Sequence, residues 1–160
     1  MADPSIKMLK NPIHAMSLGF GMGLLPKAPG TWGTLVAYPF YLVMIPLGKI
    51  WYGIILLSLI VFSCYACGFT ADALGEHDHK SIVFDEVVGY LLVLMFTPVS
   101  FTGLLLSFIF FRLFDIFKPW PISWFDQNLK NGIGIVVDDL LAAIYAILFI
   151  LLVTPLLASL

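Results

Sequence analysis

The sequence has few charged residues. Only 11% of its 160 residues are charged, whereas 61% are hydrophobic. A typical soluble domain is about one quarter charged and about half apolar. Because this small number of charged residues cannot cover a water-exposed surface, we expect the chain to lie in the lipid bilayer. The length predicts one domain, residues 1–160.

The sequence also has only two cysteines, no run of basic residues and no continuous apolar stretch near residue 1. Cys64 and Cys67 form a C-x-x-C pair inside an apolar run, without the second pair that a zinc site needs. We interpret them as small buried residues of a membrane helix. No run of basic residues occurs, which argues against nucleic acid as a partner. Residues 1–17 contain no continuous apolar stretch, so we expect no signal peptide there. No protein partner is predicted.

Long apolar segments are what the sequence does contain. They cover residues 35–47, 50–69, 87–111 and 140–160. About 20 helical residues cross a bilayer core. The pattern therefore predicts an all-α fold, an integral membrane bundle of four to five apolar helices. All basic residues except Lys49 would lie on one side of the membrane. An excess of basic residues is typical of the cytoplasmic side, so we expect the charged loops to lie in the cytoplasm.

The segment 18–34 is rich in glycine and proline. This composition predicts an ordered loop rather than a regular helix through its second half. Thr31 or Thr34 is expected to cap the helix that follows.

Two interpretations compete for residues 87–111, which contain Pro98. A single tilted helix would put Glu86 and Arg112 on opposite membrane faces. A helix hairpin around Pro98 would return the chain to the same face, although its two arms are shorter than a full span. Proline disfavours helical backbone in the residue before it. We favour the hairpin, because it lets the charged segments meet.

The acidic residues are concentrated in one region. Nine of the ten lie between Asp72 and Asp139. Two adjacent pairs, Asp85-Glu86 and Asp138-Asp139, stand at the entry of apolar segments. Such residues are costly near a membrane unless they are paired or bind a metal. Helix capping explains one acid of each pair but not the density of acids.

Three further charges, Arg112, Asp115 and Lys118, are spaced by three residues and so share one helical face. A salt bridge between the first two is the simple interpretation. Carboxylates beside cations also suit a phosphate next to Mg²⁺, which prefers hard oxygen ligands. These residues predict phosphate chemistry on a lipid-embedded substrate, without distinguishing a hydrolase from a transferase. A small ion or proton transporter is the alternative, although it would carry its carboxylates in the middle of its spans.

Three stretches make the chain resemble the phosphatidylglycerophosphatase A family of bacterial inner membranes. They are GFGMGLLPKAPGTWGT (19–34), HDHKSIVFDEVVGY (77–90) and FRLFDIFKPWPISWFDQNLKNGIGIVVDD (111–139). The resemblance implies a helical bundle around a central helix. It also implies removal of the terminal phosphate of phosphatidylglycerophosphate with Mg²⁺, in phospholipid biosynthesis, by a multi-pass enzyme whose active site faces the cytoplasm.

The resemblance also implies a set of site residues, and the division of roles among the acids is our own expectation. The catalytic residues are Asp85, Glu86, Asp115 and Asp139. The residues that bind the substrate phosphate are Lys27, Arg112 and Lys118. The metal ligands are Asp78, Asp85, Glu86, Asp115, Asp138 and Asp139. The mechanistic hypothesis is in-line attack by a metal-polarised water, with an aspartyl-phosphate intermediate as the rival.

Overall fold

The chain folds as a set of packed helices. A computed structural model describes residues 4–158, with side chains to residue 154. The α-helices are α1 (Pro12–Ser17), α2 (Pro29–Met44), α3 (Lys49–Leu74), α4 (Phe84–Phe96), α5 (Phe101–Phe117), α6 (Ile122–Asn128) and α7 (Gly132–Ala158). Short 3-10 helices cover Ile6–Lys10, Gly19–Leu24 and Ile45–Leu47. Residues 4–158 contain no strand, which confirms the all-α prediction.

Three helical segments are long and apolar enough to cross a membrane. They are Pro29–Leu47, Lys49–Leu74 and Gly132–Thr154. The predicted final span, residues 140–160, lies within α7 except for its last two residues, which are outside the described part of the chain. Large apolar side chains on the outer surface, such as Ile50, Leu57 and Leu148, are exposed. Exposed apolar side chains in such number are typical of contact with lipid rather than with water.

Helix α7 lies at the centre of the bundle, where it packs against α3, α4, α5 and α6. Its inner face carries Ala142, Ala143 and Ala146, which are fully buried. Small side chains let neighbouring helix backbones approach closely, as is common between membrane helices. At the first residue of α7, a Cβ on Gly132 would collide with the carbonyl oxygen of Cys64 on α3. The two cysteines are free, and Cys67 is fully buried.

The segment 87–111 is broken at its proline. Helix α4 ends at Phe96, and α5 begins at Phe101 after Ser100, whose hydroxyl accepts a hydrogen bond from Gly103 N (3.0 Å). The alternative of one continuous helix is therefore wrong. The two charged ends meet, since Arg112 Nη1 lies 2.8 Å from Glu86 Oε1. With 13 and 17 residues, the two helices are shorter than a full span, and their placement in a membrane stays a prediction.

The prediction that 18–34 is non-helical in its second half is wrong. Helix α2 already begins at Pro29, after Ala28 in the left-handed region (φ 49°). Proline suits the first position of a helix, because its missing N–H would have no partner there and its φ is already helical. Thr31 and Thr34 therefore lie inside the helix, where the hydroxyl of Thr34 donates to the carbonyl of Gly30 (2.9 Å) and caps nothing.

Candidate active site

Nine charged residues line one cavity of about 320 Å³ at one end of the bundle. Because α2, α4 and α7 begin at this end while α5 finishes there, residues far apart in sequence meet in it. The cavity contains all six predicted metal ligands: Asp78, Asp85, Glu86, Asp115, Asp138 and Asp139. Its basic residues are Lys80, Arg112 and Lys118. The structure thus brings the two acidic stretches together, and the roles of the individual residues stay predictions.

The two acidic pairs lie at different depths in their helices. Asp85 and Glu86 lie in the first turn of α4, where the positive end of the helix dipole favours carboxylates. Asp138 and Asp139 lie beyond the first turn of α7, so helix capping does not account for this pair. Asp85, Asp138 and Asp139 are almost completely buried, at 5% exposure or less. Buried carboxylates without compensation are costly, so these acids need a cation or a hydrogen-bond donor.

Arg112 connects three helices at the edge of the cavity. Its Nη1 donates to Glu86 Oε1 on α4 (2.8 Å) and to the carboxylate of Asp115 on its own helix. The same nitrogen lies 3.4 Å from the hydroxyl of Thr34 on α2. The predicted pair three residues apart is thus formed, and the guanidinium is held between two carboxylates. Such charge-assisted contacts fix the direction in which the group points.

Lys118 forms a second charged cluster. Its Nζ lies 2.6 Å from Asp126 Oδ1, 2.6 Å from Asp138 Oδ2 and 4.0 Å from Asp78 Oδ2. Burial alone would lower the pKa of Lys118, but the carboxylates of Asp138 and Asp126 outweigh it and raise the pKa. The ammonium is therefore charged and neutralises part of the negative charge at this side of the cavity.

The donor set fits Mg²⁺. Three carboxylates, Asp78, Asp126 and Asp138, each offer an oxygen within 4.8 Å of the others. These are the same three carboxylates that the Lys118 ammonium contacts. Among the described residues, Asp85 Oδ1, Glu86 Oε2 and Asp138 Oδ1 are buried without a hydrogen-bond partner. Unpartnered buried oxygens of this kind are rare unless an ion or water satisfies them. Mg²⁺ uses a few carboxylates and completes its shell with water and phosphate oxygens.

Two glycines of the APGTWG motif explain how Glu86 is held. A Cβ at Gly30 would collide with Glu86 Oε1, and one at Gly33 would lie 2.7 Å from Glu86 Oε2. The two glycines are three residues apart, so they share the face of α2 that meets this carboxylate. The motif therefore permits a close approach of the α2 backbone to Glu86, which the interpretation as a loop did not foresee.

The sequence-based site differs from the structure at three residues. Lys27, predicted to bind phosphate, is exposed and is not among the residues that line the cavity, although Ala28 is. Lys80 lines the cavity and had no predicted role. Asp126 was also missed. The one signal for it is that it is the only carboxylate between Lys118 and Asp138.

Comparison with known proteins gives a consistent family. A family model described as phosphatidylglycerophosphatase A matches residues 15–154. The chain is 45% identical over 144 residues to a phosphatidylglycerophosphatase A of Haemophilus influenzae, covering 89% of this chain and 88% of the relative. It is 41% identical over 145 residues to the Escherichia coli protein of the same name, covering 90% and 84%.

A third relative, from Bacteroides thetaiotaomicron, has the provisional name phosphatidylinositol-3-phosphatase. It is 31% identical over 139 residues, which cover 82% of this chain and 87% of the relative. No solved structure gives a significant match. All three names describe phosphatases that act on a phosphorylated lipid headgroup.

Proposed function

Because the chain belongs to the phosphatidylglycerophosphatase A family, we propose that it hydrolyses phosphatidylglycerophosphate to phosphatidylglycerol and inorganic phosphate. The chain is a phosphatase by this membership, and the resemblance seen in the sequence is confirmed. The observation that carries the proposed substrate is the cavity of carboxylates and cations at the end of an apolar helical bundle. With this product, the enzyme would act in phospholipid biosynthesis.

The surroundings of the cavity suit a substrate that stays in the bilayer. The end of α5, the turn after it and α6 expose Phe117, Trp120 and Trp124, next to Lys118 at the edge of the site. Tryptophan is enriched at the level of the lipid headgroups. We place the cavity at this level, where acyl chains remain in lipid while the phosphate reaches the charged residues. We also propose that α4 and α5 form an embedded hairpin in a multi-pass protein of the bacterial inner membrane.

The basic residues support an orientation with the cavity towards the cytoplasm. Lys80, Arg112 and Lys118 lie at the cavity, whereas Lys49 begins α3 at the opposite end of the bundle. An excess of basic residues is typical of cytoplasmic loops. The substrate would therefore be taken from the cytoplasmic leaflet.

We propose Mg²⁺ as the cofactor, held by carboxylates from the set of Asp78, Asp85, Asp126 and Asp138. When bound, it would offset the charge of the phosphate and polarise an attacking water. The cations Lys80 and Arg112 would bind phosphate oxygens. Lys118 would join them when Mg²⁺ takes its place beside Asp126 and Asp138.

A base is also available for the attacking water. Asp85 Oδ1 and Glu86 Oε2 are buried oxygens without a partner among the described residues, so either can accept a proton. Direct attack by water is our hypothesis, and an aspartyl-phosphate is the rival. Rapid acid quench during turnover distinguishes the two, because a phosphorylated aspartate is trapped only by the second route.

An assay of phosphate release tests the function. The purified protein in detergent is given phosphatidylglycerophosphate with and without Mg²⁺, and phosphatidylinositol 3-phosphate serves as the competing substrate. We expect release from the first lipid only in the presence of Mg²⁺. Asp85→Asn and Asp115→Asn should each lower kcat about 10²-fold or more, since both remove a carboxylate from the cavity.

Asp72→Asn is the matched control, because Asp72 lies outside the cavity, in the last turn of α3. Helical circular dichroism shows whether each variant is folded. Full activity in both cavity variants would refute the assignment of the site. The transporter alternative gains no support from the described residues, because the carboxylates gather at one end of the bundle.

A further inference from the structure

A second and larger cavity, of about 550 Å³, lies at the opposite end of the bundle. It is bounded by the end of α2, the beginning of α3 and the turn after α4. Helices α2 and α4 both begin at the carboxylate cavity, and α2 has 16 residues. At 1.5 Å per residue, the two cavities are about 24 Å apart along the helix axis. In the proposed orientation, the second cavity faces the other leaflet of the membrane.

The walls of the second cavity are mostly apolar, but one buried polar group in them has no partner. Tyr41 is 4% exposed, and its hydroxyl makes no hydrogen bond with any described residue. Its neighbours are already satisfied: the Tyr52 hydroxyl donates to Leu91 O (2.8 Å) and the Thr97 hydroxyl to Val93 O (2.9 Å). A buried hydroxyl without a partner is unfavourable, so a ligand that accepts its hydrogen bond would stabilise this arrangement.

The entrance of this cavity is positively charged. Lys49 lines it, is exposed, and is the first residue of α3. A cation is electrostatically disfavoured at the beginning of a helix, whereas an anion is favoured there. None of the described lining residues is acidic, so an amine has no carboxylate to pair with in this cavity.

We propose that this cavity binds a phospholipid with a net anionic headgroup. Its phosphodiester would pair with Lys49 and the first turn of α3, one acyl chain would fill the apolar interior, and an ester carbonyl would accept the hydrogen bond of Tyr41. The absence of a carboxylate on the lining disfavours a zwitterionic headgroup, whose amine would lie beside Lys49. The proposal rests on the membrane embedding proposed above but not on the phosphatase reaction.

Native mass spectrometry of the full-length protein tests this proposal. The probes are phosphatidylglycerol and phosphatidylethanolamine with identical acyl chains, added in equal amounts to the protein in detergent. The readout is the number of bound lipids of each class. Because the carboxylate cavity is also proposed to receive lipid, the informative quantity is the difference between wild type and variants. We expect wild type to retain one more phosphatidylglycerol than phosphatidylethanolamine.

Lys49→Gln should lower the affinity for the extra anionic lipid about five-fold, equivalent to about 1 kcal/mol. Lys10→Gln is the matched control, because Lys10 is also an exposed lysine but does not line this cavity. Tyr41→Phe should also weaken binding of the extra phosphatidylglycerol, since its ester carbonyl would lose the hydrogen bond of the Tyr41 hydroxyl. Val99→Trp fills the entrance at an exposed lining residue and should abolish the extra lipid.

Any of three results would overturn the proposal. The first is equal retention of the two lipids by wild type. The second is equal affinity for the extra lipid in Lys49→Gln and Lys10→Gln. The third is retention of the extra lipid by Val99→Trp. Phosphate release measured on the same samples separates this inference from the proposed function, because Lys49 and Val99 lie outside the carboxylate cavity.

Discussion

The substitution Gly30→Ala tests whether the α2 backbone holds Glu86 in place. A Cβ at Gly30 would collide with Glu86 Oε1 and would lie 3.0 Å from Arg112 Nη2. The carboxylate would have to move by about 1 Å, and a displacement of that size in a catalytic constellation can cost about 10²-fold in rate. We therefore expect kcat/KM to fall about 10²-fold, equivalent to about 2.7 kcal/mol of transition-state stabilisation.

The effect on stability should not exceed the effect on catalysis. Alanine is favoured over glycine inside a helix by about 0.5–1 kcal/mol, and strain from the added methyl group would cost about 1–3 kcal/mol. The free energy of unfolding should thus fall by between 0 and about 2.5 kcal/mol. Gly53→Ala is the matched control, since a Cβ there meets only Met95 Cε at 3.6 Å, an ordinary contact. That variant should keep full activity.

The assay is phosphate release from phosphatidylglycerophosphate in mixed micelles, with unfolding followed in parallel. A double variant makes the test specific, because Glu86→Asp shortens the side chain by one methylene and gives the new Cβ room. We expect Glu86→Asp to be harmful alone and clearly less harmful in the Gly30→Ala background. The reasoning fails if Gly30→Ala is as active as Gly53→Ala, or if the two effects at residues 30 and 86 simply add.

Three further predictions concern the cation cluster and the depth of the site. Asp126→Asn should raise the Mg²⁺ concentration for half-maximal activity several-fold, whereas Asp72→Asn should not; equal requirements would remove Asp126 from the ligand set. Without Mg²⁺, Lys118→Met should lower the free energy of unfolding by about 1–2 kcal/mol, a modest loss because Lys118 is partly exposed. Mg²⁺ should then stabilise this variant more than it stabilises wild type, and equal stabilisation of both proteins would contradict a shared cation position. Variants that keep either Trp120 or Trp124 as the only tryptophan report the depth of the site. Their fluorescence should be quenched more by lipids brominated near the headgroup than by lipids brominated at the chain end. The reverse order would refute the proposed depth.

The helical fold could be predicted because its signals are local. Apolar runs and the break at Pro98 follow from hydropathy and proline chemistry, and the break appears where the sequence places it. The predicted loop at 18–34 failed for a reason that is not local. Glycine and proline there were interpreted as helix breakers, yet Pro29 starts α2 and Gly30 makes room for Glu86, a residue 56 positions away.

The acidic members of the site were predictable from their density, whereas the cations were harder to place. Residues three apart on one helix, such as Arg112 and Asp115, meet as their spacing predicts. By contrast, Lys118 meets Asp126 only because the turn after α5 reverses the chain into α6. Lys80 enters the cavity through the loop before α4, whose path depends on tertiary packing. Spacing alone does not contain this information.

The position of Asp138 and Asp139 has a consequence for how the protein is made. These two carboxylates are carried by α7, the last helix, which packs against α3, α4, α5 and α6. A chain still emerging from the ribosome has already placed Asp85, Glu86 and Arg112, but its cavity lacks one wall. The candidate site is therefore complete only when α7 has joined the other helices, and a chain that ends before α7 is expected to be inactive.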